Sequence, residues 1–483
     1  MREIVRSVVK IGVASVASLL GWVVAGKLLA VELGAAGVGT FGLLRQLLLS
    51  LTVLASFNGQ TALVQGIASA PDSVHQARYA DAVLKIQLSL CAVVALVLVV
   101  GAPWLGPVLL PHANGIPMLR WSAIALFATV GQSYVVGLLN GHRLVDQLVR
   151  AQLVGPVAVV ALVLPMSALV RHGYAAGFVL MLAGPPLLVT GAGGLAARRA
   201  AAWPERTGWS IDRSAGTRFV RMSTALLIAA VVTTGAQYFQ SWIVARYRGL
   251  DVAGQYWTAW TLSMSYVTLV LGSYGTYYMP NLSRLTVPAD RVTLIRTYMR
   301  LCLLVMPVLV TAVILVKPLV IHLLFSASLL PAVEVMRWML IGDFFKAVSW
   351  VLSFPMIAYG HLKWFFWSEV LFSVGYAGAC AGWLALGYGV AGLGALFLAM
   401  YVLYLAVMLV FVRSKLGYRI ERGELARFAA GLAVILVVSV LTWDDKAVRV
   451  RAIAVGMLLS AAYVGWSEPR LRWKSVRTLM MPQ

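Results

Sequence analysis

Acidic residues are scarce in this sequence: 17 Asp and Glu stand against 39 Lys and Arg, and charged residues of either sign make up only 12% of 483. So little charge cannot clothe a water-facing surface, which excludes a soluble globular fold. Cysteine is scarcer still. Cys91, Cys302 and Cys380 each sit alone in an apolar stretch, with neither disulfide nor metal-ligand spacing, and read as packing residues. Long polar segments are also missing, so the net charge of +22 has no soluble domain to carry it and a nucleic-acid partner is not expected. The basic start Arg2, Arg6 and Lys10 precedes an apolar run that continues past Lys27 without a small-residue cleavage site, and that run reads as a retained first helix.

What is present is hydrocarbon, 61% hydrophobic residues with a mean hydropathy of +0.87. In lipid every backbone N–H and C=O must be satisfied internally, so the choice lies between helix bundles and closed barrels, and runs of roughly 20 apolar residues favour helices. Apolar stretches broken by charge, Gly or Pro fall near 8 to 31, 38 to 66, 80 to 102, 117 to 140, 148 to 170, 174 to 197 and 217 to 245. Seven more lie near 252 to 281, 297 to 325, 331 to 359, 363 to 386, 388 to 412, 426 to 443 and 447 to 466. The expected fold is all-α with fourteen transmembrane helices, or twelve if the last pair does not insert.

An even count puts both termini on one side, and alternate loops should then hold the Lys and Arg excess. They do. Arg2/Arg6/Lys10, Arg78, Arg143/Arg150, the run Arg198 to Arg221 that includes Arg206, Arg284 to Arg300, Lys363, Arg413 to Arg427 and Arg470 to Arg477 share one side. The other side has only Arg120, Arg171, Arg246, Arg248, Lys317 and Lys446/Arg449/Arg451. The asymmetry fits the positive-inside rule for an inner-membrane protein with both termini cytoplasmic. It explains the basic charge by topology, with attraction of anionic membrane lipids as the sharper reading.

Two loops half a chain apart share a pattern. Gly34-Ala-Ala-Gly-Val-Gly39-Thr-Phe41 and Gly249-Leu-Asp-Val-Ala-Gly254-Gln-Tyr256 both read Gly, four residues, Gly, one residue, aromatic. Each falls between the first and second helix of a six-helix unit of the same orientation, the arrangement of parallel-repeat transporters. The chain therefore divides into an N-terminal lobe (1–200), a linker (201–216), a C-terminal lobe (217–415) and an added two-helix segment with a basic tail (416–483).

Short motifs recur in order along this frame: GKLLAV at Gly26 to Val31, RQL at Arg45 to Leu47, FNG at Phe57 to Gly59, LSRLT at Leu282 to Thr286, GDFFK at Gly342 to Lys346 and SEV at Ser368 to Val370. With them residues 8 to 412 resemble the Wzx polysaccharide flippases of the MOP superfamily, most closely those for the lipid-linked repeat unit of enterobacterial common antigen. The resemblance implies transport without covalent chemistry. An undecaprenyl-diphosphate oligosaccharide would pass from the cytoplasmic to the periplasmic leaflet by alternating access, with polysaccharide polymerase and chain-length proteins as potential partners. The C-terminal residues beyond 412 depart from that pattern and leave the sugar open.

A diphosphate and a hydrated glycan need a polar path with cationic partners. A charge at mid-bilayer costs on the order of 2.5–3.5 kcal/mol, so intramembrane charges are the candidates. Lys27 and Arg45 lie in adjacent helices and matched motifs and are expected to contact the diphosphate, with snorkelling to the interface as the bland alternative. Asn58 either bonds sugar hydroxyls or ties helices together. In the tenth helix Glu334/Arg337 and Asp343/Lys346 are spaced i, i+3. Either each pair neutralises itself, or Arg337 and Lys346 line the substrate path while Asp343, with Glu369 as the other candidate carboxylate, binds a coupling H⁺ or Na⁺. Asp81 and Lys85 read as a salt bridge, and Arg284 as a gate, a headgroup contact or an orientation anchor. No cofactor, metal or catalytic group is expected. A cation-coupled multidrug exporter of the same superfamily would want acidic cavity residues rather than basic ones. A membrane-embedded polymerase or ligase would want a long periplasmic loop with paired catalytic groups, and no outward loop of that length is present.

Overall fold

The structure, a computed structural model, describes residues 2–204, 211–285, 287–443 and 450–468; within these, the side chains of 2–15, 225, 269–270, 273–277 and 280 are not described. Arg206, Thr286 of LSRLT, Lys446, Arg449 and the tail Arg470 to Arg477 lie outside the described residues, and the side chains of Arg2, Arg6 and Lys10 are likewise not described.

Among the described residues the chain is all helix: α1 (Arg2–Ala55), α2 (Gln60–Ala68), α3 (Ser73–Leu109), α4 (Gly115–Gly141), α5 (Val145–Arg171), α6 (Gly177–Arg199), α7 (Arg213–Arg248), α8 (Leu250–Arg284), α9 (Pro288–Leu324), α10 (Ala332–Ala358), α11 (Leu362–Ala385), α12 (Ala391–Leu416), α13 (Arg422–Leu441) and α14 (Val450–Ser467). Eleven helical stretches among the described residues are long and apolar enough to cross a membrane. This is a multi-pass membrane fold. Prolines stand inside α3, α5, α6, α9 and α10, which a membrane bundle tolerates because neighbouring groups satisfy the freed carbonyls.

The helix ends follow from local chemistry. Asp72 caps α3 by accepting from the His75 backbone N–H at 2.8 Å, and Asp212 caps α7 by accepting from the Ser214 and Ala215 amides at 2.9 and 3.2 Å. The Ser214 hydroxyl, with those amides, holds the Asp212 carboxyl below its ordinary range. Glu421 and Glu424 form a capping box at the start of α13, and Gly417, at φ 68°, ends α12 in a left-handed conformation.

The first two expected spans are two helices that meet at a kink within α1, at Gly34 (φ 66°, ψ −165°), a positive-φ conformation that glycine adopts without a clash of Cβ with the backbone. One expected boundary moves. The second span is interrupted at its far end: Phe57 and Asn58 both take positive φ (54° and 46°), so α1 stops at Ala55 and α2 starts after the break. Gln87 Nε2 donates to the Ser56 carbonyl at 2.9 Å, a second bond on an oxygen that already accepts the Gly59 amide at 3.0 Å.

By compactness the chain divides into Met1–Trp257 with Leu323–Leu329, and Thr258–His322 with Leu330–Gln483, the boundary running through α8. In the first unit α1 packs on α5 and α7, α3 on α4, and α5 on α6. Leu63, Ile67, Tyr79, Val83, Tyr134 and Phe219 belong to a buried apolar cluster of this unit.

Also in the first unit, the two similar loops meet each other. A Cβ built on Gly39 would collide with the Leu250 carbonyl oxygen and crowd the Gly254 amide; one built on Gly254 would collide with the Ala35 carbonyl oxygen and crowd the Gly39 amide. Ala35 corresponds to Leu250 and Gly39 to Gly254 in the repeat, so the contact is reciprocal, as across a two-fold axis. Gly249, at φ 84°, makes the second bend where Gly34 makes the first.

In the second unit α10 packs chiefly on α12, and α13 lies against α10. The C-terminal pair is fastened at both ends. Lys317 of α9, fully buried, donates to the Thr442 carbonyl at the C-terminus of α13 at 3.1 Å, where helix dipole and cation attract. At the other end Arg296 meets Glu421 at 3.1 Å, Arg427 donates to the Ser467 carbonyl at 3.1 Å, and the Tyr463 hydroxyl donates to the Leu303 carbonyl. Gly431 and Gly456 let Pro307 and Leu315 approach the backbone. Lys317, grouped above with the outer loops, is a buried residue within α9.

Candidate functional site

In the first unit, Arg45 sits in the second half of α1 with its guanidinium 4.3 Å from the Trp22 ring centroid and 5.8 Å from that of Trp257. Gly42 makes room for Trp257, whose ring a Cβ there would strike. Among the described residues Arg45 has no ion pair and no hydrogen bond; the two indoles hold it by cation–π attraction while its N–H donors keep their valence. The next residue, Gln46, donates through Nε2 to Gln237 Oε1 at 3.0 Å, and just over a turn onward the Ser50 hydroxyl donates to the Thr234 carbonyl at 2.9 Å, so a polar seam joins α1 to α7 beside the arginine. Lys27, half-buried before the Gly34 bend, is engaged with its surroundings. Asn58 uses its amide nitrogen to donate to the Leu226 carbonyl of α7 at 3.1 Å, the helix-tying role. Asp81 and Lys85 form the expected i, i+4 salt bridge at 2.5 Å.

In the second unit, Asp343 and Lys346 are both completely buried. Asp343 accepts from the Ser263 hydroxyl through one oxygen and from the Tyr266 hydroxyl through the other, each at 2.7 Å, and Lys346 Nζ stands 3.8 Å away. Lys346 donates to Met264 Sδ at 2.9 Å and lies under 6 Å from the rings of Trp350, Phe397 and Tyr401. The i, i+3 reading holds for this pair. It fails for Glu334 and Arg337, which form no ion pair among the described residues: Glu334 is exposed, and Arg337 instead covers the Trp443 ring at 4.4 Å beyond the end of α13. The Arg337 Nε is buried without a hydrogen bond. Glu369 accepts from the Tyr404 hydroxyl at 2.6 Å, and Arg284 is exposed at the end of α8.

The structure thus gathers Asp343 and Lys346 into one buried polar cluster and sets Arg45 in an aromatic clamp. Arg337 goes to the α13 contact and Arg284 to the surface. Sequence reasoning missed Ser263, Tyr266 and Tyr404, hydroxyls common in any helix, and Trp22, which carries no motif. Lys317 was findable as the only charge in its apolar run.

Residues 4–286 match the family described as polysaccharide biosynthesis protein, more than half of the chain. The chain belongs to that family. Among relatives of this family member are the Lipid III flippases of Escherichia coli (strain K12) and Shigella flexneri, each 25% identical over 389 residues, covering 79% of this chain and 91% of the relative. Among solved structures, an inward-facing multidrug resistance MATE family transporter of the MOP superfamily matches with a TM-score of 0.69 at 13% identity, over 85% of this chain and 98% of that one. Lipid II flippase MurJ in an inward closed conformation matches with a TM-score of 0.69 at 11% identity, over 97% of this chain and 99% of that one. The chain is homologous to the first pair and shares its fold with the second. The wider coverage by the lipid II flippase exceeds that by the MATE transporter by about the length of the α13–α14 segment.

Proposed function

We propose that this chain is a transporter and not an enzyme: a flippase that moves an undecaprenyl-diphosphate-linked oligosaccharide across the bacterial inner membrane for surface polysaccharide assembly. The observation that carries the reading is Arg45, a guanidinium stacked on Trp22 with neither acidic partner nor hydrogen bond among the described residues. Holding a cation this way leaves its fork open to a diphosphate, which arginine grips bidentately. Homology to Lipid III flippases over nearly their whole length supports the substrate class.

The chain crosses the membrane fourteen times with both termini cytoplasmic, in two six-helix lobes (1–200 and 217–415) that alternate access, and the last two helices are added to the second. The reciprocal Gly39/Gly254 contact and the basic-loop asymmetry support this division. Lys27 assists Arg45 at the diphosphate. Lys346 serves the second lobe, Asp343 and Glu369 take up the coupling H⁺ or Na⁺, Arg284 meets headgroups, and Asn58 and Arg337 border the path through the helix contacts they make. Polysaccharide polymerase and chain-length proteins receive the product, and anionic lipids surround the basic face.

The test is flipping of an undecaprenyl-diphosphate oligosaccharide in proteoliposomes by wild type, Arg45→Ala and Lys27→Ala at matched insertion. Arg45→Ala is expected to lose about tenfold or more, the worth of a charge-assisted hydrogen bond. Unchanged flipping by both variants would make the two residues anchors, and no flipping even by wild type would favour the multidrug-exporter reading.

A further inference from the structure

A cavity of about 110 Å³ lies in the second unit, between α9, α10, α12, α13 and the link 417–421. Met299, Leu303, Leu405, Leu409 and Phe428 make its walls apolar, while Tyr418 and Glu424 supply its polar edge. Both polar residues are buried and face each other, yet neither the Tyr418 hydroxyl nor Glu424 Oε1 makes a hydrogen bond of ordinary geometry among the described residues. Arg296 Nε is 3.5 Å from that Glu424 oxygen and is itself without a hydrogen bond. Such buried groups call for a partner. Water alone suits the polar edge but not the apolar walls, which stay dry unless something oily fills them.

The lining residues Ile420 and Leu425 are exposed, 43% and 57%. Around them the charges do not balance. Arg296 and Arg300 are matched by Glu421 and Glu424. Arg413, Lys415, Arg419 and Arg422 are all exposed and have no acidic partner among the described residues. An oily slot with unsatisfied hydrogen-bonding groups inside and unmatched cations at its rim is complementary to an amphiphile with a hydrocarbon chain and an anionic, hydroxyl-bearing head.

We propose that this cavity is a binding site for one anionic glycerophospholipid of the membrane, with a chain against Leu409 and Phe428, the phosphate on Arg419 and Arg422, and a headgroup hydroxyl donating to Glu424. A lipid seated there bridges α9, α12 and α13 and completes the docking of the C-terminal pair. Because the net excess at the rim is positive, a zwitterionic lipid is disfavoured.

Native mass spectrometry of the delipidated full chain, titrated with phosphatidylglycerol, phosphatidylcholine or undecaprenyl phosphate, decides the matter. One phosphatidylglycerol is expected to bind about tenfold more tightly than phosphatidylcholine; Arg419→Glu with Arg422→Glu removes that preference, and Leu409→Trp, which fills the slot, removes the adduct. If Leu409→Trp fails to fold, the surface double variant alone carries the test. Equal retention of phosphatidylcholine, unchanged binding by the double variant, or displacement of phosphatidylglycerol by equimolar undecaprenyl phosphate would overturn the assignment, the last by giving the slot to the cargo.

Discussion

At the scale of single residues, the chain places positive charge in two different ways. Arg45 is held by aromatic faces and keeps its donors free; Lys346 is walled in with its counter-ion. A buried ion pair contributes little net stability, but removing one member strands the other at a cost of roughly 3–5 kcal/mol. Asp343→Asn alone is therefore expected to lower the melting temperature in detergent strongly, and the double change Asp343→Leu with Lys346→Met to recover most of it. The same pair of variants separates structure from coupling. Transport by the stable double variant that no longer responds to an imposed H⁺ or Na⁺ gradient would support Asp343 as the coupling group, whereas wild-type response would leave the cluster a structural one. The charges themselves were legible in the sequence, because Asp343 and Lys346 stand out in apolar surroundings. Their hydroxyl partners were not: Ser263 and Tyr266 sit some eighty positions earlier, and only the packing of α8 on α10 brings them together.

At the scale of elements, glycine decides how closely helices approach. Gly39 and Gly254 each press on the backbone of the opposite loop, so added volume has nowhere to go. Gly39→Val and Gly254→Val are each expected to destabilise by about 1–3 kcal/mol, and together by less than the sum because both relieve the same contact; thermal melts of the two single variants and the double measure this directly. The repeat was visible as a spacing of glycines and aromatics half a chain apart. That the two copies touch reciprocally was not, since a spacing carries no information about where a loop lands. The C-terminal pair teaches the same lesson. Its hydrophobicity announced two helices, but whether they belong to the bundle depended on Lys317, Arg296 and Tyr463, whose partners lie far along the chain.

At the scale of the whole molecule, the charge asymmetry and the cargo's charge work in one direction. Moving about two negative charges outward across 100 mV of inside-negative potential is favourable by roughly 4.6 kcal/mol, at about 2.3 kcal/mol per charge. Proteoliposomes with an inside-negative potassium diffusion potential are therefore expected to flip an undecaprenyl-diphosphate oligosaccharide outward faster than unpolarised ones, even with H⁺ and Na⁺ gradients collapsed. Equal rates in the two preparations would make an ion gradient obligatory.

The sequence by itself determined the solvent, the class of secondary structure and the order of the helices, because hydrophobic run length and loop charge are local properties that lipid reads directly. It also marked Arg45, Arg337, Asp343, Lys346 and Glu369 as charges requiring an explanation. Only the tertiary structure decided which of these were already answered: Asp343 by two hydroxyls and Glu369 by one, Arg337 by an indole beyond α13, and Arg45 by two indoles that leave its fork unused. The physical reason is that the cost of a buried charge is set by its neighbours within a few ångströms, and in a helix bundle those neighbours come from distant parts of the chain.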